Sequence, residues 1–375
     1  MRSWTTALRK AALSGLHYSG LAALLAPLAR GKGVIFTLHS VRPEPPGAFE
    51  PNGILKVTPE FLEAAIETVR KAGYDIVSLD EAARRLKMDA PARPFACFTF
   101  DDGYRDNRDF AYPVFKRHNL PFAIYVPTAY PDGEGELWWL VLEAAVRKAN
   151  EIRVVLDGVE RHFEVRTPDE KNRAFDEIYW SLRRRPEAEL RASVREIARL
   201  AGYDASSLCS DLIMSWDELR TLAADPLVTI GAHTHRHVAV VGLSEGEARA
   251  EIAESVERIA RELGRPCRHF SFPYGDTGSA GARDFAIAAA LGLETAVTTR
   301  KDVLSAKHPM TGLPRVSLNG NFQKARYVAV LMTGVPFLMI EAAKAVLRGA
   351  RGQRAVHVAT KAGRRKATRP GAASI

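Results

Sequence analysis

Short apolar runs alternate with helix-period segments along most of the chain. "GVIFTLHSV" (33–41) and "FACFTF" (95–100) are nearly unbroken apolar stretches of strand length, which predicts strands buried on both faces. "YDIVSL" (74–79), "PFAIYVPT" (121–128), "LVTIGAH" (227–233), "RHFSFPYG" (268–275) and "LETAVTT" (293–299) read as further strands. Between them lie helical patterns. "TPEFLEAAIETVRKAG" (58–73) opens on a Thr cap, has Pro in the first turn and closes on Gly. "DEAARRLKM" (80–88) predicts a short helix capped by Asp80, and further helices are expected near 107–118, over 244–264 and over 281–292. Repeated strand–helix alternation predicts a parallel sheet covered by helices. The strand count favours a barrel over an open sheet.

Residues 130–215 break this rhythm. They carry "ELWWLVLEAAVRKAN", a strand pair near "IRVVLDGVERHFEV" and an Arg/Glu-rich helical stretch, and read as an insertion capping the site. Trp138 and Trp139 are adjacent, so on a helix they cannot share one face and at least one belongs to a core. Residues 1–32 predict an amphipathic helical segment and a poor secretory signal, because no small-x-small site follows a clean apolar region. Residues 321–347 predict an apolar helix covering one face, interrupted by Pro336 and Glu341 before it reaches spanning length. The tail 348–375 is small, polar and cationic, the composition of a disordered segment. The main body is therefore 33–320.

The formal charge of +9 suggests nucleic acid until its distribution is read. Residues 348–375 carry eight Lys/Arg and residues 1–32 carry five, with no acid in either. The rest holds 40 basic against 44 acidic residues, so the body is mildly acidic and nucleic-acid binding is not expected. The basic ends fit peripheral contact with an anionic membrane, hence a cytoplasmic or membrane-associated location, with an exported form left open. Cys97, Cys209 and Cys267 stand alone, without a CxxC pair. No GxxxxGK[ST] or GxGxxG phosphate loop occurs.

The chemistry-bearing residues gather at the carboxyl ends of the expected strands: His39, Asp101 and Asp102, His233 and His237, and Tyr274. In "TFDDG" two adjacent carboxylates diverge, so one can bind a cation while the other accepts a proton from water; a helix cap is the plainer alternative. In "GAHTHRH" an extended backbone puts His233, His235 and His237 on one face, whereas a strand end turning helical pairs His233 with His237. Two His and one carboxylate form a common ligand set for catalytic zinc and related divalent metals.

In their order, "TFDDG", "HTHRH" and "FPYG" resemble the polysaccharide deacetylases, carbohydrate esterase family 4 with its nodulation-protein-B homology domain. The resemblance runs from about Gly33 to Arg315 with the insertion set aside. It implies a distorted (β/α)7 barrel and metal-dependent removal of N-acetyl groups from an amino-sugar glycan or glycan precursor. It implies Asp101 as base, and Asp102, His233 and His237 as ligands of a divalent metal, zinc first, with nickel or cobalt as alternatives. His235 is then the odd one out, and the Tyr274 backbone N–H would hold an oxyanion. The family's late "LxH" acid is missing here. His39, ending the first strand, is the better candidate, as in members with an early His, whereas His308 lacks a strand context. The Arg that often precedes the Tyr of "PYG" by three is Ser271 here, and Arg315 is the candidate substitute. The competing readings are another C–N hydrolase acting on a small amide or cyclic imide, and a non-catalytic glycan- or membrane-binding protein. A phosphoesterase would want a basic clamp, and none accompanies the motifs.

Overall fold

The computed structural model describes residues 2–45, 47–88 and 93–345. Eight strands form its main sheet: β1 Gly33–Leu38, β2 Asp75–Ile76, β3 Phe95–Phe100, β4 Phe122–Val126, β5 Val228–Ala232, β6 His269–Ser271, β7 Thr295–Val297 and β8 Val316–Ser317. All pairs in this sheet are parallel, in the order β7-β6-β5-β4-β3-β1-β8, with β2 beside the start of β3. The ring closes through one segment of chain. Leu313 pairs with Val297 of β7, and three residues later Val316 of β8 pairs with Phe36 of β1. Seven strands thus make a distorted barrel, and β2 lies outside the ring. Two expectations need correction here. The strand over 74–79 shrinks to two residues, because Ser78 leaves the sheet to cap the next helix. Its side chain accepts from the Glu81 N–H, so Ser78 and not Asp80 is the cap of Leu79–Leu86.

Side-chain alternation divides the barrel into layers. Val34, Phe36, Phe98 and Phe100 point outward into a core shared with the covering helices, among them Pro59–Lys71 and Glu245–Leu263. Ile35, Cys97, Tyr125, Val297 and Leu313 fill the interior. Following the inward positions towards the strand ends, the apolar layer gives way to Thr37, Thr99, Asp101, His233, Ser271 and Arg315, all buried. The parity that packs the barrel floor therefore aims these polar groups at its top. Gly231 of β5 sits opposite Tyr125, and a Cβ there would lie 2.6 Å from the tyrosine ring. Only a glycine leaves that ring room to cross the barrel.

The insertion has its own core. Helices Trp138–Lys148, Pro168–Leu182 and Glu187–Leu200 pack with the antiparallel hairpin Glu151–Leu156/Val159–Glu164 around Leu142, Val146, Phe175, Ile178 and Leu190. The N-terminal segment is two helices, Arg2–Tyr18 and Leu21–Ala29, bent by 90° about Gly20. The expected C-terminal helix is broken, into Ala325–Leu331 and Val335–Ala345. The break falls at Gly334 in the left-handed region rather than at Pro336 or Glu341. Leu13 of the first helix is buried against Tyr327 and Val330. The expected disordered tail, 348–375, lies outside the described residues.

Candidate metal and catalytic site

Asp102, His233 and His237 converge at the barrel top. Their candidate donor atoms lie within 4.8 Å of one another, and all three residues are buried. The Nε2 atoms of His233 and His237 lie 3.6 and 3.3 Å from the same Asp102 oxygen, Oδ1. The backbone makes this possible by leaving regular structure. After β5 the chain turns with Thr234 and His237 at φ 60° and 56°. The turn is tied down by Glu251, which accepts from the N–H groups of His235 and Arg236. It brings the i, i+4 histidines to a ring separation of 4.9 Å without a helix. His235 points elsewhere, its Nδ1 3.0 Å from the Thr128 hydroxyl. Asp102 itself has φ 76°, which turns its carboxylate away from that of Asp101. Of the six non-glycine residues with positive φ among the described residues, Asp102, Thr234, His237 and Tyr274 belong to this rim, so backbone strain concentrates where the polar groups meet.

The donor set fits a divalent cation. His233 donates from Nδ1 to the Ser271 carbonyl at 2.6 Å, which leaves the Nε2 lone pair facing Asp102. Burial pushes its pKa down to about 4, so the ring is neutral at working pH, as a ligand must be. Asp102 Oδ1 is buried without a hydrogen-bond donor among the described residues. Burial alone would raise the Asp102 pKa, but the close approach of His237 and the field of the surrounding imidazoles lower it, so it is an anion. A buried carboxylate oxygen aimed at imidazole nitrogens, one of them a fixed lone pair, is a costly arrangement that a cation relieves.

Beside this set, Asp101 is held by Arg315 through two hydrogen bonds, Nη1 to Oδ1 at 2.8 Å and Nη2 to Oδ2 at 2.6 Å. Arg315 is fully buried and also donates to the Thr298 carbonyl and to the Thr99 and Ser271 hydroxyls. Burial works against ionisation of Asp101. The Arg315 charge outweighs it, with help from His233 and His39, and holds the carboxyl well below the usual range. His39 follows β1 directly and is half-buried on the same rim. Tyr274 has φ 60°, its carbonyl accepts from the Thr299 hydroxyl at 2.5 Å, and its ring meets His237 edge-on at 5.0 Å. His308 lies elsewhere, beside Asp302.

The insertion supplies residues that the sequence reading did not assign. Both tryptophans are buried. The Trp139 ring lies 5.1 Å from that of His237, and Trp138 donates to the Tyr274 hydroxyl at 2.9 Å, so both, not one alone, belong to a core. Tyr130 lies on His237 at 6.0 Å, and Arg191 donates to the Arg236 carbonyl at 3.0 Å, bracing the histidine turn. Nothing distinguishes Arg191 in sequence from the many arginines around it. Arg105, three residues after Asp102, pairs with Glu218 and not with the site. A cleft of about 790 Å³ has Arg42, Lys56, Trp180, Lys301, Asn319 and Asn321 on its walls.

A family model described as polysaccharide deacetylase matches residues 200–296, the stretch that holds His233, His237 and Tyr274. The chain is 34% identical over 73 residues to YxkH of Bacillus subtilis (strain 168), a protein named for the same family. That match spans 19% of this chain and 26% of YxkH. Among solved structures, the Streptococcus pyogenes deacetylase PplD in complex with acetate superposes with a TM-score of 0.54 at 16% identity, over 80% of this chain and 98% of that one. BC0361, a polysaccharide deacetylase from Bacillus cereus, gives 0.51 at 13% identity, over 80% and 69%. These structures share the fold. The motif segment is thus similar to the polysaccharide deacetylase family, and the barrel shares the fold of the solved deacetylases.

Proposed function

We propose that this protein hydrolyses the N-acetyl group of an amino sugar in a glycan or glycan precursor, using a divalent cation held by Asp102, His233 and His237. The observation that carries the reading is the convergence of both Nε2 atoms on Asp102 Oδ1 beside a second carboxylate kept ionised by Arg315. The cation, zinc first and nickel or cobalt next, would polarise the acetyl carbonyl and acidify a water, so that a carboxylate of low basicity suffices as proton acceptor. Asp101 orients the water and takes its proton; Arg315 fixes the carboxylate plane and keeps it charged beforehand. The Tyr274 backbone N–H stabilises the developing oxyanion. His39, coupled electrostatically to both aspartates, protonates the departing amine. The cleft lined by Trp180, Asn319 and Asn321 offers one apolar ring face and several amides, a chemistry suited to sugar rings.

The test is acetate release from N-acetylglucosamine oligomers and from lipid-linked N-acetyl sugars, by wild type and Asp101→Asn, with the metal content of each determined. Release by wild type alone, with metal in both, supports the reading. Metal in both with no release from any acetylated sugar overturns the substrate and turns the search to small amides and imides. Absence of metal from both removes the catalytic reading.

A further inference from the structure

We infer that the paired terminal helices form a docking face for an anionic lipid bilayer. On the described residues, Trp4 and Leu8 are 83% and 72% exposed and one turn apart on the first helix. On the second helix, Leu24 and Leu28 are 74% and 82% exposed, again one turn apart. The C-terminal helix Val335–Ala345 adds Leu338, Met339 and Ile340, three consecutive apolar residues about half exposed. The three helices are contiguous. Leu13 is packed on Tyr327 and Val330, and Gly334, where the C-terminal helix starts, lies against the backbone of Ala29, where the second helix ends. Scattered exposed leucines need no explanation, but several large side chains on three adjoining helices do.

Charge selects the occupant. Residues 1–32 carry five Lys/Arg and no acid, and residues 321–375 carry eleven with Glu341 as the sole acid. The body, 33–320, is left with 37 basic and 43 acidic residues. A second copy of this chain would bring the same cationic surface into opposition with itself. An anionic bilayer meets both demands, an apolar layer for the leucines and Trp4 and acidic headgroups for the flanking cations. No single helix among the described residues is long and apolar enough to cross a membrane; the two pairs that reach that length and composition together, Trp4–Tyr18 with Leu21–Ala29 and Ala325–Leu331 with Val335–Ala345, are bent by 90° and 55°, a shape that suits the interface. Thr5 and Arg9, the neighbours of Trp4 and Leu8 on the first helix, line the cleft that also holds Trp180, Asn319 and Asn321. The inference stands apart from the proposed chemistry, since it needs neither metal nor activity.

The experiment is flotation of the full-length chain with vesicles of phosphatidylcholine alone and of phosphatidylcholine with phosphatidylglycerol, at low and high salt. The expected result is flotation with the anionic vesicles only, weakened about tenfold or more by high salt. Tryptophan emission should shift to the blue on binding, and Trp4→Phe should abolish the shift. Leu8→Ser with Leu28→Ser should weaken binding roughly a hundredfold while thermal unfolding and metal content stay unchanged. Failure of the wild type to float with either vesicle overturns the inference. So does equal binding to both vesicles at all salt concentrations, or a stable dimer that the same two serines dissociate.

Discussion

Arg315 and Asp101 are joined by hydrogen bonds of 2.8 and 2.6 Å although 214 residues of chain separate them, and both are buried. The pair is a means of placing a charged carboxylate in a barrel interior. Each partner also depends on the other. Arg315→Met is expected to lower stability by about 3 kcal/mol or more, because it strands the Asp101 charge. Arg315→Lys should cost less stability yet still lose most activity, since an ammonium cannot fix both oxygens. Urea unfolding and acetate release measured on the same samples separate the two effects.

The two aspartates should part company on substitution. Asp102→Asn and His233→Ala are expected to lose bound metal, while Asp101→Asn keeps it and loses about 10²–10⁴ in kcat. Metal stoichiometry by elemental analysis, next to kcat, reads out the division. Loss of metal from Asp101→Asn would reverse the two roles.

His39→Gln should lower kcat by roughly 10²–10⁴ while leaving metal content and KM near those of wild type. Retention of wild-type kcat would reassign the proton donor.

Gly231→Ala tests the packing of the barrel. Its Cβ would fall 2.6 Å from the Tyr125 ring and 2.8 Å from the His269 carbonyl, neither free to retreat. A loss of about 1–3 kcal/mol is expected in denaturant unfolding. Gly231→Ala combined with Tyr125→Leu should recover part of it.

Glu218 supplies an acid-sensitive tie. Burial would raise its pKa, but the hydrogen bond from Arg105, the Ser215 N–H and the charges of Arg105 and Arg108 lower it to about 2. A depressed carboxyl stabilises above its unfolded value, and the stabilisation fades as pH falls from about 4.5 to about 2. Glu218→Gln should flatten that part of the stability–pH curve, with a loss at neutral pH of about 1 kcal/mol after solvent screening. Thermal unfolding followed across this range for both proteins is the check.

The barrel was legible because its strands are buried on both faces, so 33–38, 95–100 and 122–126 stand out as apolar runs. The donor set was legible because strand ends in such a fold carry the chemistry, and the i, i+4 histidines had a carboxylate pair to meet. Short strands were not. Asp75–Ile76 has two residues, and the competition between Asp80 and Ser78 for one helix cap is settled by tertiary position, not propensity. The layer from the insertion was hidden for another reason. Trp138, Trp139 and Arg191 face Tyr274, His237 and the histidine turn only once the insertion folds back across the barrel, and local pattern says nothing of that path.

The segment that closes the ring has a consequence for how the molecule comes into being. Asp101 directly follows β3, but its guanidinium arrives on the residue just before β8, after the whole insertion has been made. A nascent chain that ends short of Arg315 holds a carboxylate that the finished barrel would bury, with no counter-charge, and an open edge on β1. Such a chain gains nothing by closing early. Completion of the barrel and arming of the carboxylate are then one event, timed by the last strand to leave the ribosome.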